Sequence, residues 1–108
     1  MNTQRTFVIG GLYFSLFYHD EHLRLPEIET LIYLGENVGS SDGEPIHSFQ
    51  TAASFQRNGL WTHLSLEQRD AIALRLFGND ALDPICDLDG LIVQLNELSS
   101  KLGRRPAA

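Results

Sequence analysis

Four aspartates near the C-terminus form the group of carboxylates best placed to do chemistry. Asp80, Asp83, Asp87 and Asp89 fall in one short segment, and hard cations such as Ca²⁺ take several carboxylate oxygens from a single loop. Their spacing lacks the alternating acids and the later glutamate of an EF-hand loop. We therefore interpret the segment as a solvated acidic loop or part of a partner-binding surface, and we predict no metal there.

Two histidines also stand among acids, in the sequence His19-Asp20-Glu21-His22. A histidine pair could hold zinc if a third ligand, such as His47 or His63, came from elsewhere in the chain. Consecutive side chains of a turn splay apart, so the pattern favours an exposed polar turn. A small metal-dependent hydrolase built on this turn or on the aspartates is the weakest of our functional hypotheses.

Residues 85–92, Ile-Cys-Asp-Leu-Asp-Gly-Leu-Ile, resemble the aspartyl-nucleophile motif of haloacid dehalogenase-like phosphohydrolases. The resemblance implies that Asp87 is the nucleophile and Asp89 the general acid. That chemistry also needs a parallel sheet built after the motif, together with a later Lys and an acidic pair. Only 18 residues follow Gly90, with one Lys among them. We therefore predict no catalytic residue and no cofactor, and we expect Asp87 or Asp89 to cap a helix.

The length of the chain indicates one domain. Its 108 residues can bury enough surface to fold without disulfides or a metal, so we predict a single small acidic domain over 1–108. Polar composition predicts frayed tails at 1–5 and 104–108.

The net charge of −6 limits the kinds of partner. Acids cluster between 20 and 44 and between 80 and 97, and such a field repels phosphate backbones, so we expect no nucleic-acid partner. The apolar run at 7–17 is too short to span a bilayer, which argues against a membrane. This run has no signal-peptide cleavage site, and Cys86 is the single cysteine, so we expect a cytoplasmic protein.

The strand predicted at residues 28–35 is the element on which the others depend. Four bulky apolar residues in a row, 31–34, come after an alternating lead-in, which is typical of a strand covered on both faces. The alternating run 12–18 is expected to pair with it, because Pro26 excludes a continuous helix between them. We interpret 46–49 as a short edge strand.

Helical signals dominate the rest of the chain. A helical turn is predicted at 51–58. Ser65 and Gln68 match a capping box, and the apolar spacing after them predicts a helix over 65–77. Leucines three and four residues apart predict a helix over 88–102. The expected fold is α+β: an antiparallel sheet of three or four strands from the N-terminal half, with two main helices from the C-terminal half on one face.

The two-residue period of a strand divides the apolar residues between two sheet faces. We predict that the face with Leu12 and Leu16 is the core, and that Tyr13, Phe17 and Tyr33 share the opposite face. Either helices cover both apolar faces or one face is left for a partner, and the small number of short helices, two or three, favours the second alternative.

The leading functional hypothesis is a non-catalytic protein-binding domain, comparable in class to bacterial immunity proteins and enzyme inhibitors. It would occlude a basic partner through its acidic loops. A homo-oligomer, such as a homodimer held by the uncovered face or the leucine stripe, is the alternative. The predicted partner-binding residues are Glu36, Asp42, Glu44, Asp80, Asp83, Tyr13, Phe17 and Tyr33.

Overall fold

The computed structural model describes residues 6–37 and 45–103, which form an antiparallel sheet flanked by helices. The strands are β1 (Leu12–Tyr18), β2 (Pro26–Glu36), β3 (Ile46–Thr51), β4 (Arg75–Gly78) and β5 (Ile85–Cys86). The helices are α1 (Ala52–Asn58), α2 (Leu66–Asp70) and α3 (Leu88–Leu102), with single 3-10 turns at Trp61–His63 and Asn79–Ala81. The strand order is β4-β3-β2-β1-β5, and all neighbours are antiparallel.

The predicted class, α+β with one antiparallel sheet and two main helices, is confirmed. The predicted sheet size is wrong, because five strands are present and not three or four. The additional strands come from the C-terminal half and are four and two residues long, too short to show a strand period in the sequence. β3 is also not an edge strand, since β2 and β4 flank it.

The helix predicted over 65–77 is wrong beyond its first turns. The capping box itself is confirmed: the Ser65 hydroxyl accepts from the Gln68 backbone N–H at 3.2 Å, and the Gln68 side chain accepts from the Ser65 N–H at 3.1 Å. However, α2 ends at Asp70. A helix this short gains little stability on its own, so tertiary contacts decide the conformation of the residues after it.

Contacts with residues that are distant in sequence stabilise strand β4, which follows α2. The ring of Phe77 packs edge-on against Phe49 of β3, with ring centroids 5.8 Å apart. The Arg75 guanidinium donates to both carboxylate oxygens of Glu29 on β2, at 2.9 and 3.0 Å. This bidentate pair reaches across β3 and ties the edge strand to the centre of the sheet.

The central position of β2 in the sheet is confirmed. Residues 31–34 are each at most 7% exposed, and consecutive strand residues point to opposite faces, so both faces of β2 are covered. β1 has the predicted bounds, and it pairs with β2 from Leu12 opposite Ile32 to Tyr18 opposite Pro26.

On one face of the sheet, α3 packs against β1 and β5. Leu16, Cys86 and Leu91 form a buried cluster there. Asp87, one of the two predicted caps, begins the helix, because its carboxylate accepts the Gly90 N–H at 2.8 Å.

A single buried amide joins α1 and the 3-10 turn after it to the sheet. The helical turn predicted at 51–58 is confirmed as α1. Gln50 of β3 is fully buried, and its amide nitrogen donates to the Ser54 hydroxyl at 3.1 Å and to the Gly59 carbonyl at 3.0 Å. Its carbonyl oxygen accepts from the Trp61 N–H at 2.8 Å. Every hydrogen of this buried amide nitrogen therefore has a partner.

The opposite face carries an aromatic core, so of the two alternatives the face is covered and not left open for a partner. Its buried residues are Tyr13, Leu31, Tyr33, Phe49, Leu82 and Ile85. The chain between β4 and β5 runs from one edge of the sheet to the other and lays Leu82 on this core, and the ring of Phe7 packs on it from the N-terminal side. The prediction for Leu12 is also wrong, since its side chain is 57% exposed.

Replacing Gln50 with leucine removes all three of its hydrogen bonds and leaves the Gly59 carbonyl and the Trp61 N–H without this partner. We expect Gln50→Leu to lower the free energy of unfolding by about 2–4 kcal/mol, measured by urea denaturation. Gln56→Leu, on the exposed side of α1, is the matched control and should change it by less than about 0.5 kcal/mol. Equal effects of the two substitutions would show that the Gln50 amide does not hold this region together.

Candidate functional site

The acidic residues predicted to bind a partner lie on the surface wherever the structure describes them. Glu36, Asp80 and Asp83 are exposed. Asp42 and Glu44 lie outside the described residues. None of the ion pairs formed within 6–37 and 45–103 involves the three exposed acids, so their charges are not neutralised there.

The fold brings two of these acids to the same end of the sheet. Glu36, near the end of β2, pairs with His47 of β3. The His47 side chain is in turn hydrogen-bonded to Asn79, the residue before Asp80. We call Glu36 and Asp80 the acidic end. Residues 79–84, between β4 and β5, are called the crossing segment because they run from one edge of the sheet to the other. Asp83 lies in this segment beyond the core residue Leu82.

The predicted aromatic residues differ in exposure. Tyr13 and Tyr33 belong to the buried aromatic core, whereas Phe17 keeps a partly exposed ring beside His19. A binding role for these three residues stays a prediction, and Phe17 is the one whose ring a partner would reach most directly.

A buried chain of side-chain hydrogen bonds lies beneath the acidic end. His47 Nε2 is 2.9 Å from Asn79 Oδ1, and His47 Nδ1 is 3.0 Å from the Tyr33 hydroxyl. An amide oxygen only accepts, so Nε2 carries the hydrogen and Nδ1 accepts from Tyr33. Both ring nitrogens are thereby used within the protein. The arrangement fixes the start of the crossing segment and leaves no imidazole nitrogen for a substrate proton or a metal.

The negative charge of the acidic end affects the pKa of the tyrosine in this group of hydrogen-bonded side chains. Burial raises the pKa of Tyr33, and the negative charge of Glu36 raises it further, with a smaller contribution from Tyr13. The Tyr33 hydroxyl is therefore protonated at neutral pH and donates a hydrogen bond to His47.

A cavity of about 350 Å³ lies at the same place. Its lining residues are Thr6, Phe7, Ile9, Tyr33, Gly35, Glu36 and His47. The cavity thus combines a wall of aromatic rings with one exposed carboxylate.

A second cavity, of about 480 Å³, lies beside β4. Its lining residues are Trp61, Leu66, Arg69, Asp70, Ile72, Leu74 and Leu76. The Arg69 guanidinium stacks 4.4 Å from the centre of the Trp61 ring and donates to the carbonyl oxygens of Trp61 and Thr62. Leu66 is 77% exposed at its rim. The sequence analysis did not predict this groove. The one sequence feature that indicates it is the apolar residue Leu66, directly after the helix cap Ser65.

The His19–His22 turn does not assemble a metal site. The two rings have separate partners, since His19 Nε2 lies 2.6 Å from Glu27 Oε1 and His22 Nε2 lies 3.9 Å from Glu21 Oε1. In the part of the chain that the structure describes, no three His, Cys, Asp or Glu residues are arranged to hold a metal ion.

Sequence reasoning also missed His47 and Asn79 as partners. They are far apart in the chain, and neither stands in a motif. The apolar-polar alternation of β3 could have assigned His47 to the face of Phe49, but nothing local places Asn79 beside it.

Comparison with protein-family models, curated proteins and solved structures finds no significant match. Within the described ranges, no helix has the length and hydrophobicity needed to cross a membrane.

The raised pKa of Tyr33 predicts a loss of stability in alkaline solution. Up to about pH 10 the hydroxyl is protonated in both states, but at higher pH the unfolded chain ionises first. We expect the free energy of unfolding to fall from about pH 10 upwards through the folded pKa, and Tyr33→Phe to remove part of that fall. At neutral pH the variant should be about 1–3 kcal/mol less stable, because the buried His47 Nδ1 loses its donor.

Urea denaturation at several pH values measures both effects. Tyr18→Phe is the control, since Tyr18 lies outside the aromatic core that contains Tyr33. An alkaline decline that is the same in Tyr33→Phe as in the unchanged protein would contradict the assignment.

Proposed function

We propose that this protein is a non-catalytic binding protein whose acidic end docks on a basic surface of a protein partner and occludes it. The observation that supports the proposal best is the location of Glu36 and Asp80, from distant parts of the chain, at the same end of the sheet as exposed carboxylates outside any described ion pair. Asp83 is exposed as well, but it lies farther along the crossing segment and toward the other end of the strands, where the Pro84 carbonyl accepts from the Leu16 N–H.

Basic side chains elsewhere in the described chain do not neutralise this surface. Arg75 is held by Glu29, and Arg69 is held by the carbonyls of Trp61 and Thr62. A net charge of −6 with locally unpaired carboxylates speeds the encounter with a basic partner, because the field steers diffusion. An inhibitor or immunity-type protein acts by such occlusion.

Two charge variants test this proposal. The first, Glu36→Gln/Asp80→Asn/Asp83→Asn, removes the two acids of the acidic end together with Asp83, the third exposed acid predicted to bind a partner. The control, Glu67→Gln/Asp70→Asn/Glu97→Gln, changes the net charge equally at other exposed positions.

Each tagged protein is incubated with extract of the source cells, and bound proteins are quantified by mass spectrometry at low and at physiological salt. We expect the first variant to lose a basic partner that the control retains, with a fall of about tenfold or more in association rate once that partner is purified. The loss should be greatest at low salt, because screening already weakens the field at physiological ionic strength. Retention of the partner by both variants would disprove docking through the acidic end.

A second candidate, a homodimer, is favoured by the edge of the sheet. β4 pairs with β3 on one side and has no neighbouring strand on the other within the described structure. Exposed Leu66 and Leu76 line the groove beside it. An unprotected edge strand next to exposed apolar side chains is a surface on which a second copy could continue the sheet.

For the homodimer we expect a dimer mass in light scattering at high micromolar concentration. Leu76→Lys would shift it to the monomer mass, because a buried lysine at the interface is unfavourable. Leu25→Lys, at a similarly exposed leucine in the β1–β2 connection, is the control. A monomer mass for the unchanged protein would exclude this candidate.

A further inference from the structure

We propose that the cavity beside Glu36 is a subsite for an arginine side chain of the protein partner. The inference rests on the proposed function and makes it more specific: it names the group that the acidic end recognises. It is carried by an aromatic wall, a carboxylate outside any described ion pair, and the absence of lysine and arginine among the described residues that line the cavity.

The wall is built from three rings in contact. The centroid of Phe7 is 5.0 Å from that of Tyr33 and 5.2 Å from that of His47, and Tyr33 and His47 are 5.9 Å apart. Tyr33 and His47 are only 5% and 4% exposed, so a ligand would stack mainly on the partly exposed ring of Phe7, which covers them. The electron-rich faces of aromatic rings attract cations, and they attract guanidinium groups most often among protein side chains.

The charge of the cavity is negative. Among the described residues that line the cavity, Glu36 is the one carboxylate, and its field already raises the pKa of Tyr33 in the wall. His47 has both ring nitrogens engaged, by Tyr33 and Asn79, and so presents no free donor to an anion. An anionic ligand would be repelled, and a cation would find its counter-charge at the rim.

A guanidinium group suits this combination better than an ammonium group. It is planar and weakly hydrated, it stacks on aromatic faces, and it donates two parallel hydrogen bonds to one carboxylate. A volume of about 350 Å³ is at the small end of ligand sites and accommodates one long side chain. The geometry therefore points to arginine.

The direct test uses N-acetyl-L-arginine amide as the probe and the full chain as the protein. Amide signals are followed by two-dimensional NMR as the probe is added. We expect saturable shifts of Gly35, Glu36 and His47 with a Kd of about 1–10 mM, since one stacked ion pair supplies little affinity alone. N-acetyl-L-citrulline amide, which has the same shape without the charge, should cause no saturable shift.

Two variants locate the interaction. Glu36→Gln should weaken binding of the arginine probe about fivefold or more, because the carboxylate is the counter-charge. Glu67→Gln, which removes an exposed glutamate on α2, should leave binding unchanged. Unaltered dispersion of the remaining NMR signals shows that both variants are folded.

Several results would overturn the inference. One is the absence of saturable shifts at these residues, and another is equal binding of the citrulline probe. Tighter binding of N-acetyl-L-lysine amide would replace the guanidinium by an ammonium group and refute the assignment to arginine.

The arginine subsite and the proposed function can be refuted independently of each other. If the probe binds but no partner depends on the acidic end, the cavity is an arginine site and the docking proposal is wrong. If a partner depends on Glu36, Asp80 and Asp83 but the probe does not bind, docking stands and the subsite is refuted.

Discussion

The double burial of β2 is the constraint on which the rest of the structure depends. Residues 31–34 are all buried, and their apolar side chains project from both faces of the sheet. Other parts of the chain must therefore pack on both faces. The helices are short, and α3 with its leucines packs on one side against β1 and β5. Irregular chain covers the other side: the N-terminal segment with Phe7, and the crossing between β4 and β5 with Leu82.

Covering a sheet face with irregular chain requires polar groups to be satisfied beneath it, because backbone and side-chain donors buried without partners are unfavourable. The Val8 N–H donates to the Tyr13 hydroxyl, and the Gly10 N–H donates to the Tyr33 carbonyl, which fastens the N-terminal segment. His47 and Asn79 fasten the other segment. The aromatic core is therefore rich in tyrosine and histidine as well as phenylalanine, since their polar atoms hold the cover in place.

The crossing segment between β4 and β5 also determines which groups are exposed at this end of the sheet. Its first residue, Asn79, is hydrogen-bonded to His47 of β3, which places Asp80 at the same end of the sheet as Glu36. The segment also lies on the core and helps to bury Tyr13 and Tyr33, so that a wide apolar face does not remain. The surface left exposed at this end is negative charge beside a small aromatic cavity. The apolar surface that stays open lies instead beside β4, where Leu66 and Leu76 border a groove. The charged and the apolar surfaces are thus on different parts of the molecule and suit different kinds of contact.

The sequence by itself determined the elements whose signals are local. The buried run of β2, the bounds of β1, the cap Ser65 and the leucine spacing of α3 all arise from periods and capping rules that act within a few residues, whereas the sequence left the cap of α3 open between Asp87 and Asp89. The clustering of acidic residues in the segments that supply the candidate surface was likewise apparent from the sequence. Tertiary structure alone decided that 75–78 form a strand, since their partners are β3 and Glu29, and it alone decided which face is covered and by which segments. Those outcomes depend on pairing and packing between distant segments, where the free energy comes from contacts that no local pattern records.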